Sequence, residues 1–320
     1  MLAILSVTTP IYLLIALGYV CVRAGLFARA DMRLFGKYVI NLALPALIFG
    51  SLAQRPIGDV VNPVYLLAYA AGSLATMALG VLWARKAGGK PMSAAAIMGM
   101  GVACPNSGFV GLPLVTQVFG SSIGGLNLGL AVIVENIVLI PAALALAESD
   151  LGEAGAGATR AQRLRNALAQ SLRGMARNPM VWGVVAGLAC SLAGLQLPAP
   201  LGRAVGLLAT SCSAIALFVV GGTLVGFGLR GAWRDVSAIA VGKLLVHPLL
   251  VMLLVMVLPP MQRELQMALV LTAAVPMMGI YPILAQRHGH DGMAASALLG
   301  ATIASFFTLT GLLWLLQAPV

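Results

Sequence analysis

The chain has 320 residues, 60% apolar and only 9% charged, with a mean hydropathy of +1.00. Soluble domains carry about a quarter charged residues, so this composition excludes an ordinary water-soluble fold and points to a chain that lives in a bilayer. The net charge of +10 suggests nucleic acid only until its distribution is seen, because the basic residues are concentrated in the connections on one side of the apolar stretches.

Stretches long enough to cross a hydrocarbon core of about 30 Å occur ten times, at 4–22, 34–53, 63–84, 93–118, 122–147, 179–197, 201–229, 236–258, 264–286 and 292–316. The expectation is an all-α membrane protein with ten transmembrane helices. No basic leader or small-residue cleavage site precedes the first stretch, so it reads as a retained helix rather than a signal peptide. The second carries an intramembrane amide, Asn41. The fourth, GVACPNSGFVGLPL, is interrupted by Pro105, Asn106, Gly108, Gly111 and Pro113, and the fifth holds Glu135 and Asn136. The segment 148–178 follows. Its GEAGAGAT portion reads as a flexible linker, and Leu164, Leu168, Leu172 and Met175 then recur at helical intervals among arginines. That pattern predicts a basic amphipathic helix lying on an anionic leaflet. The eighth stretch contains Lys243 and, one turn on, His247. The ninth, TAAVPMMGIYPILA, is interrupted by Pro276, Gly279 and Pro282 and runs into Arg287. Four cysteines, Cys21, Cys104, Cys190 and Cys212, fall within spans without metal-ligand spacing and read as small packing residues.

Assigning loops alternately to the two sides places fifteen of the 19 Lys and Arg residues on one side and only Arg55, Arg203 and Arg263 on the other, with Lys243 inside a span. Basic loops stay cytoplasmic, which puts both termini outside and leaves no role for nucleic acid. The halves also echo each other. Pro10 precedes Gly25-Leu26 by the interval at which Pro179 precedes Gly194-Leu195, PALIFGSL at 45–52 resembles IALFVVGGTL at 215–224, and Pro105 and Pro276 lie 171 residues apart. One five-span unit used twice is expected, with residues 1–147 and 179–320 as the copies and 148–178 as the cytoplasmic linker. Five is odd, so the second copy enters the membrane inverted.

Proline removes a backbone donor and clashes with the preceding turn, so neither interrupted span can be a straight helix. Such breaks persist in a bilayer only where protein or a water-filled cavity satisfies the freed groups, and a matched pair of them points to a transporter's binding site. Each break leaves a half-helix whose N-terminus faces the membrane centre and favours a carboxylate. Asn106 adds an amide that donates to carboxylate oxygens or accepts from a hydroxyl. Ser107 and Gly108 let a ligand approach the backbone, and Pro105 and Pro276 hold the breaks in register. Met277, Met278 and Tyr281 line the cavity with adaptable apolar surface, and Gly279 and Ile280 complete the second break. The plainer alternative is that these residues only kink packed helices.

Glu135 and Lys243 are the Asp, Glu, Lys or Arg residues deep within spans, and such charges default to function. Lys243 either supplies countercharge to an anion, pairs with Glu135, or snorkels to an interface. His247 is a candidate for titration near neutral pH. Asn41 and Asn136 are candidate interhelical amides. Arg287 either neutralises an anion, replaces a coupling cation, or anchors the chain at the cytoplasmic surface. There is no GxSxG, HExxH or CxxC and no GxxxxGK[ST], so neither an intramembrane enzyme nor direct ATP drive is supported, and no cofactor is implied.

These residues resemble a family. VACPNSGFVGLPL is similar to the fourth-helix motif of the auxin efflux carriers, in which Pro-Asn is followed by a small residue and then Gly-x-Pro. AAVPMMGIYPILAQRHG resembles that family's ninth helix, PIYLLIALGYVCVRAGL and INLALPALIF its opening helices, and KLLVHP its Lys-x-x-x-x-Pro eighth helix. The resemblance implies broken, crossing helices 4 and 9 and a bacterial inner-membrane carrier of two domains, with a scaffold of helices 1, 2, 6 and 7 that also forms a homodimer. It implies a small organic anion as substrate, such as a mono- or dicarboxylate, moved by secondary transport or uniport with a proton or sodium as coupling ion. An anion channel, or a sodium-coupled symporter of a larger amphipathic anion, is the alternative. The long cytoplasmic loop of the plant carriers is absent, and with it any implied phosphorylation control.

Overall fold

In lipid no water is available to backbone N–H and C=O groups, so each segment must close its hydrogen bonds on itself. In the computed structural model, which describes residues 2–53, 55, 62–147, 173–174, 176–195, 197–228 and 233–316, the regular elements are all helices and no strand is present among the described residues. They are α1 (Leu2–Arg23), α2 (Asp31–Leu52), α3 (Pro63–Lys86), α4 (Met92–Ala103), α5 (107–119), α6 (121–147), α7 (Pro179–Leu192), α8 (Ala199–Leu224), α9 (Trp233–Val257), α10 (Arg263–Ala274), α11 (Tyr281–Gln286) and α12 (Asp291–Leu316). Seven helical stretches among the described residues are long and apolar enough to cross a membrane, with α5 and α6 counted as one, and α4 and α7 are shorter apolar helices. The expected amphipathic helix around 164–175 lies outside the described residues.

Local chemistry accounts for the ends. Asn62 and Asn178 cap α3 and α7, their side chains accepting from Tyr65 N at 2.9 Å and Met180 N at 3.0 Å, and Pro63 and Pro179 take the first helical position, where no N–H is needed. Gly120, at φ +83°, separates α5 from α6 in a conformation that a side chain would strain. Pro10 lies well inside α1 whereas Pro179 opens α7, so the two prolines matched in sequence are not equivalent in place.

Among the described residues four helices contain a wide π-turn, at Val39–Ala43 in α2, Ser107–Gly111 in α5, Glu135–Leu139 in α6 and Gly242–Val246 in α9. Each ends two residues before a proline: Pro45, Pro113, Pro141 or Pro248. Proline's ring collides with the carbonyl four residues earlier and offers that carbonyl no donor. An i→i+5 turn moves the carbonyl aside and gives it another partner. The turns also place Asn41, Ser107, Glu135, Asn136 and Lys243 where the helix surface bulges.

The helices pack in two sets joined chiefly by α2 against α5 and α6. α1 lies along α8, and α2 packs on α7 and α8. Gly18 meets the backbone of Phe218, Gly221 the backbone of Ile15 and Gly183 that of Pro45, each too closely for a Cβ. Lipid gives little hydrophobic drive between helices, so this backbone contact is the main source of adhesion. The other group joins α3 to α4 and α9, α10 to α6 and α9, and α12 to α9 and α11. Loops are tied together at two ends. Arg55 donates to Ser122 Oγ at 2.8 Å and its carbonyl accepts from Ser191 Oγ at 2.5 Å. Elsewhere Lys90 pairs with Asp235 at 2.7 Å, Arg234 donates to Ala87 O at 3.1 Å, and the Arg29 guanidinium lies 4.6 Å above the Phe227 ring.

Candidate substrate site at the helix crossing

The two interrupted stretches meet. Between α4 and α5 the chain is extended at Cys104–Asn106, and between α10 and α11 it is extended through Val275–Met278; Pro105 and Met277 form an isolated antiparallel bridge. Asn106 N donates to Pro276 O at 2.8 Å, and Met278 N to Cys104 O at 3.2 Å. Proline has no N–H to give, and here none is wanted: Pro105 sits between the two bonding groups of its own strand and Pro276 contributes only its carbonyl. Unwound backbone at this depth is thereby satisfied by protein, as a bilayer requires.

Asn106 caps the π-turn that opens α5. Its Oδ1 accepts from Phe109 N at 3.3 Å, and its carbonyl accepts from Val110 N and Gly111 N. The Nδ2 group approaches Gly279 across the crossing, about 4.0 Å from where a Cβ would stand. Asn106 and Ser107 are buried, whereas Gly108, Phe109, Gly279 and Ile280 are partly or largely exposed, so the crossing opens along its glycine side. Met277 is enclosed and Met278 nearly so. Tyr281 is also enclosed, and its hydroxyl donates to Ile97 O at 3.1 Å, which fastens α11 to α4. Of the two half-helices α5 is the substantial one; α11 is a six-residue turn.

A buried polar belt backs the crossing. Glu135 accepts from Ser107 Oγ at 2.8 Å and from the Tyr69 hydroxyl at 2.7 Å. Lys243 donates to Ala273 O at 2.5 Å and contacts His247 Nδ1 at 2.8 Å, and His247 Nε2 lies 2.9 Å from Ser73 Oγ. The Tyr69 and His247 rings stack, with centroids 6.3 Å apart. Glu135 and Lys243 form no ion pair. Each instead serves a helix end of opposite polarity: the carboxylate is tied to the first residue of α5, and the ammonium caps a terminal carbonyl of α10. A second buried chain runs from the Tyr65 hydroxyl to Asn127 Oδ1 at 2.8 Å and from Asn127 Nδ2 to Thr272 Oγ1 at 2.8 Å, joining α3, α6 and α10.

Three candidates lie apart from this cluster. Asn41 is exposed on α2 and donates to Lys37 O at 2.7 Å within its own helix. Asn136 donates to Val132 O at 2.9 Å and accepts from Asn178 Nδ2 at 3.4 Å, linking α6 to the start of α7. Arg287 is exposed at the end of α11. Tyr69, Ser73, Tyr65, Asn127 and Thr272 escaped the sequence reading. The available signal was Tyr65, Tyr69 and Ser73 at four-residue spacing, a polar stripe along an otherwise apolar helix.

The membrane transport protein model matches residues 3–315 of this chain. The chain belongs to that family, the auxin efflux carrier family. It is a membrane transporter and not an enzyme. It is 27% identical over 311 residues to "Uncharacterized transporter YfdV" of Escherichia coli strain K12, covering 96% of this chain and 95% of the relative. To the "Putative malonate transporter" of Rhizobium meliloti strain 1021 it is 26% identical over 323 residues, covering 99% and 97%. An "Uncharacterized transporter" of Methanothermobacter thermautotrophicus matches at 31% over 115 residues, 35% of this chain and 37% of the relative.

Proposed function

We propose that this transporter moves small organic anions, mono- or dicarboxylates, by alternating access around the crossing of α4/α5 with α10/α11. The observation that carries the reading is the bridge at Pro105 and Met277, with the Asn106 amide and the first N–H groups of α5 beside it. A carboxylate is stabilised there by unpaired backbone donors and by the side-chain amide, with no full cationic charge needed in contact. In this reading α4/α5 and α10/α11 each count as one crossed span, so the chain has ten spans in two inverted five-span units. The tightly packed α1, α2, α7 and α8 then act as the scaffold and dimer contact while the other helices move. Fifteen basic residues on one set of loops support an inner-membrane orientation with both termini outside. The name carried by the Rhizobium meliloti relative makes a three-carbon dicarboxylate the first ligand to try.

Coupling to a proton, or uniport, is favoured over sodium, because the crossing presents a single carboxylate, Glu135, and its oxygens already accept from Ser107 and Tyr69; a dehydrated cation needs several free oxygen ligands. The deciding experiment is uptake of labelled malonate, succinate and acetate into proteoliposomes under imposed proton or sodium gradients. Saturable uptake accelerated by internal counter-substrate is expected. Single-channel currents, or a requirement for internal ATP, would overturn the proposal.

A further inference from the structure

A cavity of about 360 Å³ opens between α3, α4 and α9, and none of its lining residues belongs to the crossing. Its walls include Leu79, Trp83, Met98, Val102, Ile239 and Val246. The polar side chain among the lining residues, Thr76, spends its hydroxyl on Gly72 O at 2.7 Å. Apart from the Trp83 indole N–H the walls offer no free donor, and the slot suits a hydrocarbon chain better than a carboxylate. Leu79 and Val241 stand half exposed at the mouth, which in a membrane protein is exposure to lipid. From Thr76 to Trp83 the wall runs seven residues, about 10 Å along a helix, most of one leaflet's hydrocarbon depth.

The end of the groove is charged. The Arg234 guanidinium lies 5.7 Å from the centroid of the Trp83 ring that closes the groove, and it donates to Ala87 O. Arg85 donates to Lys90 O at 3.1 Å, and Lys86 is exposed beside it. Lys90 is neutralised by Asp235, and among the described residues Arg85, Lys86 and Arg234 form no ion pair, which places three positive charges where α3 ends. We propose that this groove and its basic end form a binding site for an anionic phospholipid, with one acyl chain against Leu79, Val102 and Ile239 and the phosphate against Arg85, Lys86 and Arg234. A slot that suits hydrocarbon, ending in uncompensated positive charge at headgroup level, is complementary to a lipid of that charge and shape. The tryptophan at the junction matches the amphipathic boundary such a molecule presents.

The test is native mass spectrometry of the purified full chain titrated with phosphatidylglycerol or with phosphatidylcholine of the same chains. Each basic residue at a bilayer surface is worth roughly fivefold in anionic-lipid affinity, so the wild type should retain phosphatidylglycerol at least tenfold more strongly. The Arg85→Gln/Arg234→Gln pair should lose about 25-fold and keep at most the roughly fivefold preference that Lys86 supplies, whereas Arg85→Lys/Arg234→Lys should keep the full preference and so control for folding. Ala238→Phe, which fills the groove, should lose both lipids, and glycerol phosphate alone should not bind. Equal retention of the two lipids by the wild type, an undiminished preference in the glutamine pair, unimpaired binding to Ala238→Phe, or binding of glycerol phosphate as tight as that of the whole lipid would each overturn the proposal. None of these outcomes depends on what the crossing transports.

Discussion

At the scale of single residues, Asn106 does two jobs whose consequences separate. Its backbone N–H makes one of the two backbone bonds that join the broken helices, and its side chain reaches across toward Gly279. Asn106→Ala keeps the first and removes the second. The protein should remain folded while affinity for the carboxylate ligand drops roughly tenfold or more, the effect of losing one hydrogen bond to a charged partner, about 1.5–3 kcal/mol. Titration calorimetry on the folded variant measures it, and unchanged affinity would remove the crossing from the binding site. Glu135 and Lys243 invite a different comparison. As oppositely charged residues deep in spans they read as a natural pair, yet their contacts are with helix ends and hydroxyls. Sequence gives charge but not separation, and it cannot show that a helix terminus already supplies the counter-pole. Lys243→Met should lower the melting temperature by leaving Ala273 O and His247 Nδ1 short of a donor, about 1–3 kcal/mol. A double-mutant cycle with Glu135→Gln should give a coupling below about 1 kcal/mol; a larger value would mean that the two charges meet after all.

At the scale of elements, the breaks at Pro105 and Pro276 were readable because proline has so few places to sit inside a long apolar run. The four π-turns were not. The prolines that cause them are visible, but the same residue can kink a helix, open one or widen it, and the choice depends on which neighbour can take the displaced carbonyl. Tyr69 and Asn127 were missed for a related reason: each looks unremarkable in its own span, and its importance comes from a partner on another helix. Packing between α1 and α8 offers a direct test of what holds elements together. Gly221→Val must push into the backbone of Ile15, whereas Gly206→Val on the same helix meets nothing within 4 Å. The first should cost about 1–3 kcal/mol or more and the second almost nothing, as read from thermal unfolding in detergent. Equal melting temperatures would mean that the close approach carries no stability.

At the scale of the whole molecule, charge distribution and composition placed the chain in a membrane, and the proline pairs located where its halves meet. The sidedness of the loops is an expectation from the sequence. Two clusters of loop contacts, one around Arg55 with Ser122 and Ser191 and the other around Lys90 with Asp235 and Arg234, group the loops as the alternating assignment does. Cysteines substituted for Arg203 and for Arg287 therefore test the orientation. The first should react with an impermeant maleimide in intact cells, and the second only after permeabilisation. The reverse pattern would invert the molecule and the inside assignment of its basic loops.

The bridge between Asn106 and Pro276 also sets a timetable. Its two ends are 276 − 106 = 170 residues apart in the chain, and at about 5–20 residues per second the first is made roughly 10–30 s before the second. Throughout that interval the carbonyl of Cys104 and the N–H of Asn106 have no partner, in a solvent that supplies none. The nascent first half must therefore wait near the insertion machinery, near headgroups or with trapped water rather than settle fully into lipid. Ribosomes arrested before residue 276 should hold a chain that membrane proteases recognise, while completed chains are spared.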